Sequence, residues 1–313
     1  MYAGETKEAW LAKRGRGIGG SEAAAVLGLS PWENAVSVWL RKTGRAAPKE
    51  ETEAMRIGTE LEDLVARRYT EETGREVRNH NSMLADGCLL GNIDRLVIPA
   101  GKKSAAYKGI ITTDRLLECK TATREWDDGV PLYYQIQVQH YMGLAPSVQY
   151  VDVACLFLLR KHFEVHTVAR DDEAIKDMQE YLRAWWDKYI VKGEMPPPTC
   201  ENDVKRLWAR SNPGKTITAN EELAWAVEEY KRIKEQIDRR TELLNMRREQ
   251  IILAMRDAEV ITAADGKPLV SWKSGKPTQK TDWKSLAVSM NPTKEQIAEF
   301  TREDCGIRRF IVK

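Results

Sequence analysis

The 313-residue sequence is poor in cysteine and histidine, with five residues of the first kind and four of the second. The cysteines are scattered and form no C-x-x-C pair, a distribution that argues against a disulfide scaffold or a zinc site and favours a reducing compartment. No apolar run approaches the ~18 residues of a membrane-spanning helix. The segment Met1–Lys13 lacks the apolar stretch of a secretory signal. These absences predict a cytoplasmic protein that does not enter a membrane.

The net charge of the chain is only +2, because 49 basic residues stand against 47 acidic ones. A general affinity for nucleic acid is therefore not indicated, and any basic surface must be local. Hydrophobic residues make up 42% of the chain, which is enough for a sizeable core. The length suits one large domain, or one domain with an appended module.

Two acids and a lysine in two strand-like runs give the strongest chemical signal. Asp94 begins the first run, and Glu118 and Lys120 flank Cys119 in the second, L-L-E-C-K. Alternate side chains of a strand point to the same face, so Glu118 and Lys120 should point the same way and Cys119 the other way, into the core. If Asp94 lies on the neighbouring strand, two carboxylates and an ammonium converge. Such a set can hold Mg²⁺ and place a cation beside an attacking water or a phosphate.

An upstream helix supplies a further candidate acid. Residues 51–73 follow the helical period, with an apolar stripe that Asp63 points away from. Glu60 and Glu62 lie on opposite edges of the stripe, and either of them suits a buried-edge acid. Gly58, one turn before Glu62, leaves space beside that carboxylate and mildly favours it. A solvated acidic face is the structural alternative.

The glycine-rich stretch R-G-R-G-I-G-G-S-E, from Arg14 to Glu22, has the composition of a phosphate clamp. Ser21 is predicted to cap the following helix, whose first N–H groups favour an anion. Arg14 and Arg16 add fixed positive charge. An ordinary glycine-rich turn with a serine cap is the alternative, and the spacing is not that of a Walker loop.

Glutamines and lysines complete the candidate set. A helix is predicted over 132–143, and its Gln137 lies within one turn of two tyrosines, at a packed edge. The amide of Gln137 could orient a water or contact a base, although a polar helix flank explains it equally well. Lys102 and Lys103 belong to a loop predicted between the two acidic strand-like runs, and this loop would lie beside the proposed site.

Proline and glycine breaks divide the chain into predicted regions. Residues 1–195 alternate helical and strand-like patterns and predict an α/β domain, and residues 196–218 predict a linker. Residues 219–258 predict one long helix or a helical hairpin. Residues 259–313 predict a small basic α+β module that ends in a strand at Phe310–Val312.

The predicted long helix carries a heptad-like seam in which seven of ten positions are apolar. Such a seam favours a helical hairpin or a short coiled coil over a long zipper. The seam consists of Leu223, Val227, Tyr230, Lys234, Ile237, Thr241, Leu244, Arg248, Ile251 and Met255.

The order of helix acid, aspartate, Glu-x-Lys and glutamine helix resembles the PD-(D/E)XK nuclease superfamily. In more detail, residues 10–168 resemble the YqaJ viral recombinase family, which is lambda-exonuclease-like. Ile93 stands where proline is common in that family. The resemblance is carried by Trp10 and Arg14 with G-I-G-G-S-E at 17–22, R-I-G-T-E-L-E at 56–62, N-I-D at 92–94, L-E-C-K at 117–120, and Y-Y-Q-I-Q-V-Q-H-Y-M at 133–142.

The resemblance implies a fold and a set of residue roles. The fold is α/β, with a restriction-endonuclease-like core of a central mixed sheet flanked by helices, extended by a C-terminal helical and small α+β part. The match selects Glu62 over Glu60. Mg²⁺, for which Mn²⁺ can substitute, would be held by two acids and a backbone carbonyl with Glu62 at a second position, and a lysine would orient or deprotonate the attacking water with a glutamine assisting. In this sequence the catalytic set is Glu62, Asp94, Glu118, Lys120 and Gln137, the metal set is Asp94, Glu118, Cys119 and Glu62, and the DNA or phosphate set is Arg14, Ser21, Arg16, Lys102 and Lys103.

The implied activity is a 5′→3′ exonuclease on double-stranded DNA, acting with a single-strand annealing recombinase in phage recombination. A ring-like homo-oligomer in the cytoplasm of a bacterial host is also implied. An endonuclease, a non-catalytic DNA-binding or assembly module, and a scaffold whose acids are only surface groups are the alternatives. Two departures from the family pattern are the long gap between Asp94 and Glu118 and the region 200–313, which the compact exonucleases lack.

Overall fold

The computed structural model describes residues 7–47, 52–80, 82–301 and 310–312. The side chain of Trp10, which begins the family-like pattern, lies outside the described residues. The chain divides into two compact units, Met1–Leu207 and Trp208–Lys313. The division falls inside the segment predicted as a linker. No helix in the described ranges is long and apolar enough to cross a membrane.

The first unit contains seven α-helices and ten strands among its described residues. A π-helical turn, Asp187–Val191, continues the sixth helix. The helices are α1 Lys7–Arg14, α2 Gly20–Val26, α3 Ala35–Lys42, α4 Glu53–Thr73, α5 Leu132–Leu144, α6 Asp172–Trp186 and α7 Glu201–Leu207. The strands are β1 Ile18–Gly19, β2 Val77–Asn79, β3 Leu84–Asp86, β4 Leu89–Gly91, β5 Arg95–Val97, β6 Ala106–Tyr107, β7 Ile110–Ile111, β8 Arg115–Ala122, β9 Tyr150–Phe157 and β10 His162–Ala169.

A five-stranded mixed sheet forms the centre of this unit, in the order β10-β9-β8-β5-β2. The β8–β9 pair is parallel, and the other neighbours are antiparallel. The sheet therefore agrees with the predicted α/β class and its mixed central sheet.

Two helices cover opposite faces of the sheet. Val65 and Tyr69 of α4 pack with Leu117 on one face. Val138 of α5 packs with Leu116 on the other face, because neighbouring strand residues alternate between faces. Thr52 caps α4 by accepting a hydrogen bond from the backbone N–H of Met55, and Gly74 ends the helix with a φ of 69°, as predicted.

A smaller sheet, β1-β4-β3, carries the glycine-rich stretch. Strand β1 pairs in parallel with β4, so Ile18 lies beside Leu89. Helix α2 packs closely on α5, since a Cβ on Gly20 would lie only 2.5 Å from the ring of Tyr141. This contact brings the predicted phosphate clamp to the helix that carries Gln137.

The second unit contains one long helix, α8 Glu221–Met255, of 35 residues. The helix is continuous, so the hairpin considered for this region is wrong. Strands β11 Val260–Thr262 and β12 Pro268–Ser271 form a hairpin. Two short helices follow, α9 Trp283–Ser289 and α10 Lys294–Phe300.

The strand predicted at Phe310–Val312 is not formed. Its β-branched and aromatic residues suit a strand, but no described strand pairs with this segment, and pairing is what stabilises a strand. Phe310 instead contacts the ring of Tyr230 edge-on at 5.5 Å.

Candidate active site

Asp94, Glu118 and Lys120 converge where β5 and β8 run side by side. Arg95 pairs with Leu117 in antiparallel register, which places Asp94, just before β5, opposite Glu118 of β8. An oxygen of Asp94 accepts a hydrogen bond from the backbone N–H of Cys119 at 2.8 Å. The Nζ of Lys120 donates to Oε1 of Glu118 at 2.5 Å. The shared face expected from strand alternation is therefore present.

The ammonium of Lys120 does not fully offset the cost of burying the carboxyl groups of Asp94 and Glu118. Burial raises the pKa of Asp94 well above its usual range, and the charge of Glu118 raises it further against the effect of Lys120. Burial also raises the pKa of Glu118, although Lys120 opposes that shift. The Oε2 of Glu118 is buried without a hydrogen-bond partner among the described residues. An unpaired buried carboxylate oxygen is costly, so this atom is poised for a cation.

Gln137 is fixed on the same face by α5. Its side chain is only 7% exposed, and its Nε2 donates to Oε1 of Glu118 at 2.6 Å and to the hydroxyl of Tyr141 at 2.8 Å. Its Oε1 accepts from Lys120 at 3.4 Å. The packed-edge interpretation is confirmed, whereas the polar-flank alternative is wrong.

Two tyrosines of α5 belong to this cluster and were not predicted as site residues. Tyr141 holds Gln137, and the ring of Tyr134 lies 4.7 Å from Nζ of Lys120, within cation–π range. Their positions one turn before and after Gln137 were visible in the sequence, and helical spacing puts such residues on one face. The sequence alone does not show that this face of α5 is the one directed at Glu118 and Lys120.

Glu62 reaches the site from the opposite face of the sheet, and an arginine already engages it. Arg95 is 6% exposed and forms an ion pair with Glu62 through Nη1. Its Nη2 lies 2.6 Å from an oxygen of Asp63. The Nη1 of Arg95 also donates to the backbone carbonyl of Asp94 at 2.6 Å. Arg95 was not predicted as a site residue, because only the packing of α4 shows where its guanidinium goes.

The side chains of Glu60 and Cys119 do not join the carboxylate pair, although the backbone of Cys119 contacts Asp94. The side chain of Glu60 is 64% exposed, as a solvated helix face requires. The sulfur of Cys119 packs with the cluster around α4 and the opposite sheet face, which confirms that its side chain belongs to the core. Burial raises the pKa of this thiol, so the residue is not a reactive thiolate.

The predicted clamp residues lie together, but the cap was assigned wrongly. Gly19, not Ser21, occupies the N-cap of α2, and Ser21 is exposed in the first turn. The backbone N–H of Gly19 donates to Glu22 at 3.0 Å, so this donor is already satisfied. An Nη of Arg14 lies 3.5 Å from Oγ of Ser21, and the two side chains therefore remain a pair.

A buried ion cluster supports the clamp from beneath. Glu22 is 6% exposed and lies 2.8 Å from Nζ of Lys42 and 3.2 Å from Arg41. Lys42 also donates to the backbone carbonyl of Arg14 at 2.7 Å. Burial acts to raise the pKa of Glu22, but Lys42 and Arg14 outweigh it and the pKa lies below the usual value. Neither Glu22 nor Lys42 was predicted as a site residue, because their contact depends on the packing of α2 and α3.

A cleft of about 1010 Å³ joins the two halves of the site. Its lining includes Lys120 and Gln137 on one side and Arg14 and Ser21 on the other. The cations Arg41, Lys42 and Arg45 and the exposed ring of Trp32 also line it. Arg16, Lys102 and Lys103 are exposed and are not among the residues that line this cleft.

The donors of the carboxylate pair suit a hard divalent cation. Asp94 and Glu118 offer oxygens, which Mg²⁺ prefers, and Oε2 of Glu118 is unpartnered. Within the described ranges, no three His, Cys, Asp or Glu side chains form a metal-holding group. A complete ligand set therefore needs backbone carbonyls, water or substrate oxygens beside the two acids, as is usual for Mg²⁺.

Comparison with known proteins places this arrangement in a family. A family model described as the YqaJ-like viral recombinase domain matches residues 9–146. The uncharacterized protein YqaJ of Bacillus subtilis (strain 168) is 30% identical over 326 residues, which cover 98% of this chain and 94% of that protein. The chain belongs to the YqaJ family. The resemblance carried by the five motifs is confirmed, and the similarity to the Bacillus protein extends through the second unit.

Solved structures resemble this YqaJ-family chain more distantly. An alkaline exonuclease of Laribacter hongkongensis is 21% identical, with 59% of this chain and 94% of that chain covered and a TM-score of 0.45. A phage-related exonuclease of Haemophilus somnus 129PT is 14% identical, with 57% and 96% covered and a TM-score of 0.42.

Proposed function

We propose that this chain is a Mg²⁺-dependent deoxyribonuclease that degrades duplex DNA from its ends. The observation that carries the proposal is the buried, unpartnered Oε2 of Glu118 beside Asp94, on the same face as Lys120. Among the described residues, the ammonium of Lys120 is shared by these two buried acids, and a further cation would balance their second charge. The mixed sheet with α4 and α5 on opposite faces is the core that we assign to the PD-(D/E)XK type.

Asp94, Glu118 and the backbone carbonyl of Cys119 would hold the metal, with Glu62 at a second position. The bound ion would supply Lewis-acid stabilisation of the charge that develops on the phosphate and the leaving oxygen. Arg95 engages Oε1 of Glu62, so the other oxygen of this carboxylate would serve the second position while the ion pair is kept. Mn²⁺ shares the oxygen preference and is expected to substitute.

Lys120 and Gln137 act on the attacking water in this proposal. Burial acts to lower the pKa of Lys120, but Glu118 and Asp94 outweigh it and raise the pKa above its ordinary value. The residue is therefore an ammonium that orients the water and stabilises negative charge. The amide of Gln137, held by Glu118 and Tyr141, fixes the position of that ammonium.

The clamp of Arg14 and Ser21 would bind a DNA phosphate in the same cleft. Arg41 and Lys42 are paired with Glu22 and Glu33, which also line the cleft. Arg14 and Arg45 are therefore the cations proposed to meet a phosphate backbone. Arg16, Lys102 and Lys103 would contact DNA outside the cleft. A family of viral recombinases requires single-stranded tails, and digestion of one strand from an end produces them. Production of such tails favours an exonuclease over an endonuclease. The 5′→3′ polarity and an annealing recombinase as the partner are proposed from the resemblance to the family.

Digestion of end-labelled linear duplex and closed circular duplex tests the proposal. With Mg²⁺, nucleotide release only from linear ends is expected, and labels at the 5′ or the 3′ end report polarity. Addition of EDTA should stop the release, and Mn²⁺ should restore it. Nicking of closed circles would replace the exonuclease by an endonuclease. If a folded protein with Mg²⁺ or Mn²⁺ leaves both substrates intact, the chain is not a nuclease.

A further inference from the structure

The long helix of the second unit exposes apolar residues of one stripe from Leu223 to Ile251, and Met255 at its end is buried. Val227 and Ile251 are 36% and 38% exposed, and Ile237 and Leu244 are 57% and 67% exposed. These residues belong to a seam that advances alternately by four and three residues from Leu223 to Met255. A 3.5-residue repeat of this kind keeps one face directed toward a partner helix.

The charges of the helix differ between its two halves. Residues 221–238 contain six acidic and three basic residues, a net charge of −3. Residues 239–255 contain four basic and two acidic residues, a net charge of +2. Two copies of α8 in antiparallel orientation would bring each acidic half alongside a basic half. Five of the six acids lie on the face away from the seam, so this attraction acts at long range. Parallel copies would place like charge against like charge, which is unfavourable.

The polar residues of the seam lead to the same orientation. In a parallel pair, Lys234 would face Lys234 of the second copy and Arg248 would face Arg248. In an antiparallel pair centred on the helix, the alternating spacing places Lys234 opposite Leu244 and Arg248 opposite Tyr230. A lysine stem can cover a leucine while its ammonium reaches water, and an arginine can stack on a tyrosine ring.

We propose that α8 of this chain pairs with α8 of a second copy as an antiparallel two-helix coiled coil. The contact is isologous, so each seam residue meets the same partner in both copies. The opposed pairs are Val227 with Ile251, Tyr230 with Arg248, Lys234 with Leu244, and Ile237 with Thr241, whereas Met255 at the end of the seam is buried within its own chain.

Charge substitutions at neighbouring leucines test this pairing in the full chain. Leu244→Lys would face Lys234 of the second copy twice per dimer, and the dimer dissociation constant is expected to rise at least tenfold. Leu243→Lys is the matched control, since Leu243 is 57% exposed but lies off the seam. Sedimentation equilibrium measures the mass, and far-ultraviolet circular dichroism confirms that both variants keep their helix.

A compensating substitution separates the two orientations. Adding Lys234→Glu to Leu244→Lys restores opposite charges in an antiparallel pair, so dimer formation should return to within a few-fold of the original. In a parallel pair the same double variant would place Glu beside Glu and Lys beside Lys, and no rescue would occur. The proposal would be overturned if the double variant does not restore the dimer, or if Leu243→Lys weakens the dimer as much as Leu244→Lys does. It would also be overturned if Leu244→Lys has the same mass in solution as the unmodified chain.

Cross-linking provides an independent readout. In a chain whose Cys200 and Cys305 are serine, Val227→Cys and Ile251→Cys are prepared separately and mixed. Disulfide-linked dimers are expected in the mixture and not in either variant alone. Efficient linking of Val227→Cys with itself would show a parallel pair, and no linking in the mixture would show that α8 does not pair with itself. This result does not depend on nuclease activity.

Discussion

The two units of the chain differ in the residues that they bury. The first unit encloses charge, because Glu22, Arg95 and Glu118 are each less than one-tenth exposed. The second unit leaves apolar groups outside, since Trp225 and Leu244 of α8 are more than two-thirds exposed. Buried charge is costly unless it is paired or used, and an exposed apolar stripe usually marks a contact surface. This difference supports the proposals of a catalytic site in the first unit and of a contact between chains through the second.

The largest expected effect is at the lysine of the buried cluster. Lys120→Ala removes the ammonium that contacts Glu118, and we expect kcat for nucleotide release to fall by roughly 10²–10³-fold. DNA binding should change little, since the clamp is intact. Lys102→Ala is the control, because this lysine is exposed and outside the cleft. Turnover of Lys120→Ala close to that of the unmodified chain would show that the buried charge is structural only.

The second effect concerns the ion cluster beneath the clamp. Glu22→Gln leaves Lys42 without its buried counter-charge, whereas Arg41 keeps its ion pair with Glu33. Breaking the buried Glu22–Lys42 pair costs about 3 kcal/mol of unfolding free energy. Urea denaturation measures this loss. The Michaelis constant for DNA ends should also rise, because Lys42 holds the backbone carbonyl of Arg14. A stable variant with an unchanged Michaelis constant would show that this buried charge supports neither the fold nor the clamp.

The third effect is a pH dependence that comes from His140. This residue is fully buried, its Nε2 donates to the carbonyl of Leu90 at 2.9 Å, and burial lowers its pKa to about 4. In the unfolded chain the pKa of His140 has its ordinary value of about 6.5. Between pH 6.5 and pH 4 the unfolded chain therefore binds a proton at this histidine that the folded chain does not bind. The contribution of neutral His140 to the free energy of unfolding is therefore complete above pH 6.5 and is lost as the pH falls toward 4.

Between pH 7 and pH 5 this histidine should remove about 2 kcal/mol of unfolding free energy. Urea denaturation at the two pH values measures the change, and His140→Gln should reduce the difference by that amount. An unchanged pH dependence in His140→Gln would show that the histidine is not held neutral.

Features with a local cause were predictable from the sequence. Glu118 and Lys120 share a face because strand side chains alternate, and α4 ends at Gly74 because a left-handed cap favours glycine. Helical spacing also placed Gln137 at a packed edge. These predictions needed only a repeat of two or 3.6 residues and a turn residue. The identity of the family followed from the order of such local motifs.

Features that depend on tertiary packing were not predictable in the same way. Arg95 binds Glu62 only because α4 crosses the sheet face opposite to α5. Lys42 meets Glu22 only because α3 packs on α2. The cap assigned to Ser21 moved to Gly19 because β1 continues to the start of the helix, and the strand at 310–312 failed because no described strand pairs with it. In each case the segments that meet are far apart along the sequence, or the local sequence pattern does not determine how one segment pairs with the next.

The smallest expected effect lies in the exposed helix and sharpens the contrast with Glu22. Glu228→Gln makes the same chemical change in α8, where Glu228 contacts Lys231 at 2.7 Å and is 71% exposed. Solvent screens such a pair, so the loss should be below about 0.5 kcal/mol of unfolding free energy. Urea denaturation of both glutamine variants side by side gives the ratio. If Glu228→Gln cost as much as Glu22→Gln, α8 would have to bury this face as well, and the seam from Leu223 to Met255 would no longer define the contact surface of the helix.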